Sequence, residues 1–267
     1  MRMTYAVLRR RRLKRKTANV VQEYSDGWNQ YRDYLRKAKT LEDWLRVPGV
    51  EDQPGFFNVE GRLSYQSFDH IGFYRRTLLE ALRRHFTGIS SITEYGCGVG
   101  RNLLFLKSRF PQVAMYGYEL CAPGVEIARA ASEKFGLDCC FSQLDYLHGH
   151  SSQYVFPDSD IGFTMFSLEQ IPKESQAALR NILHHVRFGS LHIEPVPENY
   201  PLSLRGLVGR LDHWKVDYLT GFDKSVRRLG LKDVIVEPVC SAHNPLMFPS
   251  LYILNKAQSS LFPNDEK

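Results

Sequence analysis

Seven residues of this chain, Glu94-Tyr95-Gly96-Cys97-Gly98-Val99-Gly100, place three glycines at alternate positions. A short strand-like run, Ser-Ile-Thr, leads in, and a leucine-rich run from Asn102 leads out. Glycines leave no side chain between backbone and ligand and permit turns closed to other residues. A loop that ends a strand and opens a helix presents amides suited to polar or anionic groups. Such a loop suits a nucleotide-like cofactor, and the spacing discriminates between cofactors. A dinucleotide cradle has the pattern G-x-G-x-x-G, with a small residue at the sixth position. Here that position is Arg101. Two acids follow further along: Glu119 closes Tyr-Gly-Tyr-Glu-Leu, and Asp145 sits in Ser-Gln-Leu-Asp-Tyr. A carboxylate at the end of the second strand can accept both hydroxyls of a ribose.

The elements that must hold these residues are legible from apolar period and turn residues. Strand-like runs start at Ser91, Val113, Leu137, Ser159, Gly189, Lys232 and Pro249. Helical runs cover Asn102–Phe110, Ala122–Gly136, a segment opened by Pro172, and Phe222–Gly230. A further helical run, Ile71–Phe86, precedes the first strand. Alternation of this kind predicts parallel βαβ units in an α/β fold, a doubly wound, seven-stranded, mostly parallel sheet. Only a short stretch around Cys240–Phe248 joins the last two strands, which predicts an antiparallel hairpin at one sheet edge. The stretch from Asn199 to Leu219 reads as irregular. We divide the chain into a basic, disordered head over 1–16, an N-terminal helical cap or lid over 17–68 and a main domain over 69–267. The cap is rich in Tyr and Trp (Tyr24, Trp28, Tyr31, Tyr34), and its second half carries the turn residues Pro48, Gly49, Pro54 and Gly55.

Taken together, the Glu94–Gly100 run, Glu119 and Asp145 resemble the motifs of class I S-adenosylmethionine-dependent methyltransferases, over about Ile71 to Lys256. The resemblance implies a Rossmann-like methyltransferase fold, with S-adenosylmethionine bound by Glu94, Tyr95, Gly96, Cys97, Gly98, Gly100, Glu119, Leu120, Leu144, Asp145, Tyr146 and Phe166. Within it, Glu94 orients the methionine end, and Asp145 caps the exocyclic amine of adenine, a donor that needs an acceptor. Acceptor-side residues belong at the ends of the fourth and fifth strands, in Phe-Ser-Leu-Glu-Gln-Ile-Pro and Leu-His-Ile-Glu-Pro. Ser167 is expected beside Phe166 along the cofactor. Glu194, His192 and Glu169 are the expected catalytic residues; His192 and Glu194 share one strand face, and a neutral His suits a general base. Gln170, His213, His243, Asn244 and Tyr74 are expected at the substrate. The fourth-strand run lacks the [D/N]-P-P-[Y/F] signature of DNA and protein-glutamine N-methylating families.

Composition bounds the function. The apolar and charged fractions, 43% and 24%, are those of an ordinary globular protein. Of 35 Lys and Arg, eight fall in residues 1–16, where there is no acid, so the rest of the chain is slightly acidic and no basic nucleic-acid groove is indicated for it. The basic head could bind RNA, anionic lipid or a targeting receptor. No apolar core precedes its charges, so a secretory leader is not expected, nor is a membrane span. Five cysteines without a C-x-x-C pair suggest neither a disulfide framework nor a zinc site, and reduced thiols predict a cytoplasmic setting. No metal is expected. The reading is methyl transfer to an O or N atom of a small-molecule or glycan acceptor. Two alternatives stand beside it: an RNA or protein methyltransferase that uses the head, and a non-enzymatic cofactor-binding member.

Overall fold

The computed structural model describes residues 7, 10–14, 17–46, 53–147, 153–171 and 173–256. Pro48, Gly49, Pro172 and much of the basic head lie outside the described residues. Three helices open the chain: α1 (Thr17–Asn29), α2 (Tyr31–Lys37) and α3 (Leu41–Leu45). A two-stranded hairpin follows, β1 (Gly55–Val59) and β2 (Arg62–Gln66). The main domain then runs α4 (His70–His85), β3 (Ser91–Tyr95), α5 (Arg101–Arg109), β4 (Ala114–Glu119), α6 (Ala122–Lys134), β5 (Cys139–Gln143), β6 (Ser159–Met165), α7 (Ser175–His184), β7 (Val186–Glu194), α8 (Leu204–Lys215), α9 (Phe222–Arg227), β8 (Asp233–Pro238) and β9 (Ser250–Asn255).

The seven strands β3–β9 form one sheet in the order β5-β4-β3-β6-β7-β9-β8. The first five are parallel, and β9 enters antiparallel between β7 and β8. The antiparallel hairpin at the edge is therefore present, with β8 outermost. Both sheet faces are covered. Leu78, Leu82, Leu103, Leu104, Ile127 and Ala128 pack on one face, and Tyr95, Tyr118, Leu179, Ile182, Phe222 and Tyr252 on the other. Covering both faces explains why β9 carries the continuous apolar run Leu-Tyr-Ile-Leu rather than an alternating pattern, and why β6 is buried along nearly its whole length. Strand order reverses between β3 and β6, whose carboxyl ends diverge there, leaving the crevice in which such sheets hold ligands.

Local signals set the helix ends. Asp69 caps α4, its side chain accepting from the Gly72 amide at 2.7 Å, and Arg83, Arg84 and His85 occupy the last turn, where the helix dipole favours cations. Thr40 and Asp43 form a reciprocal capping box on α3, which buries Trp44.

Four expectations need correction. Residues 55–66 form a hairpin rather than part of a helical cap. Its two-residue turn, Glu60-Gly61, has positive φ at both positions (49° and 77°), as the twist of paired strands requires. The stretch read as irregular contains a twelve-residue helix, α8. The helix expected from Pro172 begins at Ser175. Within the head, Arg10–Lys14 runs along α8 rather than apart from the fold: the Leu13 amide donates to the Lys215 carbonyl at 2.7 Å, and Arg10 pairs with Asp212 at 2.9 Å.

Candidate active site

A cavity of about 480 Å³ opens at the β3/β6 crevice. Its floor is the glycine loop after β3 and the ends of β4, β5 and β6. Its far wall is the aromatic face of α1 and α2, with Tyr24, Trp28 and Tyr31.

The loop owes its shape to backbone angles. Gly96, Gly98 and Gly100 have φ of 76°, 54° and 75°, in the left-handed region that L side chains rarely adopt. The amides of Gly96 and Cys97 both donate to the Tyr118 carbonyl, at 2.7 and 2.9 Å, and the Gly98 amide donates to Glu119 Oε2 at 2.8 Å. The bend is thus tied to β4 rather than aimed wholly at a ligand. Gly100 stands outside the cavity lining. A Cβ on it would meet the Phe141 ring at 2.7 Å, so this third glycine serves the close packing of helix on strand. Arg101 is buried at the cavity lining, its guanidinium 4.6 Å from the ring centres of both Tyr31 and Trp44.

Three of the carboxylates that line the cavity, Glu94, Glu119 and Asp145, stand at or just past the ends of β3, β4 and β5. Glu94 is buried; its Oε1 accepts from Asn102 Nδ2 at 2.8 Å, and its Oε2 has no hydrogen-bond partner. Burial pushes its carboxyl up to about 8, against the pull of Asn102 and Arg75. Glu119 accepts amides from Gly98 and, at 3.0 Å, Cys121; burial raises its pKa despite them. Asp145 Oδ1 accepts from the Leu147 amide at 3.0 Å, turning the chain after β5 into the cavity wall. Leu120, Leu144, Tyr146, Cys97, Gly96, Gly98 and Phe166 line the same space, as expected. Tyr95 does not. It stacks on Tyr118 at 5.8 Å in the core of the opposite face. Burial holds the Cys97 thiol well above its ordinary pKa, which makes it a small apolar residue rather than a nucleophile.

The acceptor side is built by the turn after β6. Phe166 has φ of 54°, rare for an aromatic residue, and the Leu168–Gln170 turn carries Glu169 and Gln170 into the lining. Gln170 Nε2 donates to Glu169 Oε1 at 2.8 Å. Glu194 holds this turn from behind. Its Oε1 accepts from Thr164 Oγ1 and from the amides of Ser167 and Leu168, and its Oε2 from the Glu169 amide, all within 2.8–3.2 Å. Burial pushes it up to about 7 against those four hydrogen bonds.

Several expected contacts with the reacting groups are absent from the geometry. Glu194 and His192 are wholly buried and outside the cavity lining. Both His192 ring nitrogens are occupied, by Thr164 Oγ1 at 2.9 Å and Ser190 Oγ at 2.8 Å, and α9 covers that face through Phe222. Burial lowers His192 to about 3. His213 lies on the inner side of α8 between Tyr200 and Tyr218, away from the lining. Asn244 folds onto its own loop, accepting from the Leu246 amide. Buried Tyr74 and exposed His243 pair, Tyr74 Oη to His243 Nδ1 at 3.2 Å, behind Phe166; their rings lie 4.7 and 5.6 Å from it. They back the cavity without lining it.

Sequence reasoning missed Arg75 and Asn102. Both line the cavity, and Arg75 also donates to the Leu45 carbonyl at 2.7 Å, tying α3 to the site. Asn102 lies eight positions after Glu94, one helical residue into α5, and that spacing was the available signal. Asp217 and Lys173 at the rim had none.

The comparisons with known proteins agree with this fold. The model of a family described as a methyltransferase domain matches residues 92–189. No curated protein matches the chain. Among solved structures, the [4+2]-cyclase SpnF is similar over 94% of this chain and 100% of its own, at 16% identity and a TM-score of 0.58. The plantazolicin methyltransferase BpumL, in complex with a monoazolic desmethylPZN analog and SAH, is similar over 69% of this chain and 84% of its own, at 12% identity and a TM-score of 0.50. Phosphoethanolamine N-methyltransferase 2 of Haemonchus contortus, in complex with phosphomonomethylethanolamine and S-adenosylhomocysteine, is similar over 70% and 53%, at 13% identity and a TM-score of 0.51. At such identities the likeness is one of fold.

Proposed function

We propose that this chain, which carries a class I S-adenosylmethionine-dependent methyltransferase domain, transfers the methyl group to an O or N atom of a small-molecule or glycan acceptor. The observation that carries the reading is Glu94: a buried carboxylate oxygen without a partner, at the crevice where strand order reverses. A buried acceptor left unpaired costs roughly 1–3 kcal/mol, and an ammonium group of the ligand would relieve that cost. The residues fit the cofactor along its length. Glu94 and Asn102 take the amino-acid end, the second lone pairs of Glu119 accept the ribose hydroxyls, and Asp145 accepts from the adenine amine. Trp28 and Tyr24 close over the loop from α1.

The cofactor, when bound, supplies a sulfonium methyl with a neutral leaving group. The protein's part is alignment and exclusion of water, worth about 7–11 kcal/mol in favourable cases. Phe166 and the turn after it hold the acceptor against the floor, and Glu169 is the residue placed to take a proton from it. Glu194 and His192 act behind that turn as positioning residues. Five free cysteines, two of them exposed, suit a reducing cytoplasm.

The test is incubation with labelled S-adenosylmethionine and fractionated cell extract. Label in the low-mass or glycan fraction supports the proposal. Label in RNA or protein replaces the acceptor class. Calorimetric binding of S-adenosylhomocysteine with no label in any fraction would establish a non-enzymatic binder.

A further inference from the structure

Helix α8 wears its apolar residues on the outside. Leu204, Leu207 and Trp214 are 75%, 50% and 45% exposed, and spacings of three and seven put them on one arc of the helix. Its inner side is built from Gly206, Val208, Gly209 and His213. A Cβ on Gly206 or Gly209 would strike the carbonyl oxygens of Pro201 and Leu246, so the backbone itself packs inward and the leucines are left facing solvent.

Two further segments continue this surface. Arg10–Lys14 crosses α8, with Arg10 on Asp212, the Arg12 guanidinium 4.3 Å from the Trp214 ring centre, and Leu13 52% exposed. Arg205 at the start of α8 donates to Asn58 Oδ1 at 3.1 Å and to the Gly61 carbonyl, tying on the β1–β2 hairpin. Leu63, the strand partner of Asn58, is exposed, as are Phe56 and Tyr65, whose rings lie 4.9 Å apart. Among the described residues ten large apolar side chains are exposed, and eight belong to the head, the hairpin or residues 202–214. Scattered exposure needs no explanation, but a concentration of this kind marks an interaction surface.

We propose that this face docks on an anionic lipid bilayer. Outward Leu and Trp beside exposed Arg and Lys is the pattern of interfacial helices, which bury apolar side chains at the headgroup boundary while basic residues meet acidic lipid. Among the described residues no helix is long and apolar enough to cross a membrane. Charge decides between occupants. A second copy on a two-fold axis would set one arginine run against the other, at a cost. A nucleic acid would use the arginines and leave the leucines wet. An acidic bilayer uses both. Asp217, two residues beyond α8, lines the cavity, so the docking face adjoins its rim.

The test is sedimentation of the full chain with phosphatidylcholine vesicles, with and without phosphatidylserine. Binding to the phosphatidylserine vesicles alone, weakened by salt, is expected. The double variant Leu204→Glu, Leu207→Glu should lose at least about tenfold in partition, from the loss of two buried leucines. Arg11→Ala with Lys14→Ala should lose roughly fivefold per charge. Calorimetric binding of S-adenosylhomocysteine serves as the folding check, and if the leucine variant fails it, the arginine–lysine variant decides. Equal binding to both vesicle types, no binding to either, or variants that sediment like the parent would each overturn the proposal. So would a wild-type dimer that L204E/L207E converts to monomer.

Discussion

At the scale of single residues, the cofactor contact proposed for Glu94 can be tested alongside its effect on the stability of the empty protein. Unfolded, its carboxyl ionises near 4.5; folded, burial raises it to about 8. Between those pH values the folded chain keeps a proton that the unfolded chain has released. This contribution to stability is fully present below about pH 4.5, declines as pH rises and is lost above about pH 8. Glu94→Gln removes it. The variant's unfolding free energy in urea should therefore depend less on pH across that window, gaining on the order of 5 kcal/mol over wild type at the alkaline end. Gln still accepts from Asn102, but it turns an amide donor toward the ligand's ammonium group. Affinity for S-adenosylhomocysteine should fall roughly 10–100-fold by calorimetry. A variant that binds as tightly as wild type would remove Glu94 from the cofactor site. Gly98 makes a second case. A Cβ there would lie 2.8 Å from the Trp28 ring, at a φ of 54°. Gly98→Ala pays about 1–2 kcal/mol for the backbone angle alone and pushes Trp28 off the cavity wall. At least about tenfold weaker binding is expected, with the change visible in the Trp fluorescence titration.

At the scale of elements, the turn after β6 depends on the end of β7. Glu194 accepts three backbone amides and one hydroxyl, joining residues 164–169 to the neighbouring strand. In Glu194→Gln one side-chain terminus becomes a donor facing an amide donor, leaving a buried group unpaired. A loss of about 1–3 kcal/mol in urea unfolding is expected, together with a lower kcat as Glu169 shifts. The acid limb of the pH–rate profile should stay where it was; its disappearance would instead make Glu194 the base. This pair of roles shows what could and could not be read from sequence. Alternation along β7 places His192 and Glu194 on one face, but not what covers that face, and α9 covers it. The strands β3–β7 were legible because short segments with apolar and aromatic residues alternate with helical runs along the chain, and the acids Glu119 and Asp145 because each stands at or just past the end of one of those strands. The hairpin escaped because its strands are only five residues long and neither alternates in exposure, so no period of two marks them. Helix α8 escaped because glycines face the core and leucines the solvent, the reverse of the pattern that marks a globular helix. Arg75 escaped because its partners Leu45 and Asn102 lie 30 and 27 positions away.

At the scale of the whole molecule, the cavity belongs to two layers, the sheet with its loops and the cap of α1 to α3, and the cofactor would bridge them. The cap buries Leu35, Ala38 and Trp44 in the main core, and polar or aromatic contacts join it to the sheet layer, among them Arg101 against Tyr31 and Trp44, Arg32 with Glu126, Lys134 Nζ donating to the Leu35 carbonyl at 2.6 Å, Arg75 to Leu45, and the Trp28 ring over Gly98. A ligand that touches both layers stabilises the folded chain by mass action, about 2.7 kcal/mol at a hundredfold excess over Kd. For a chain of this size that corresponds to a rise in Tm of roughly 5–10 °C. Trp28→Ala removes the main aromatic contact from the cap side while leaving the three carboxylates intact. The apo protein should lose only modestly in Tm, because Trp28 is half-buried at the cavity wall rather than in the core. The shift produced by S-adenosylhomocysteine should shrink by more than the apo Tm does, and limited proteolysis should cut within residues 17–46 in the presence of ligand as readily as in its absence. If the ligand-induced shift in Trp28→Ala equals that of wild type, the cap does not close on the cofactor, and α1 is a structural helix that happens to border the cavity.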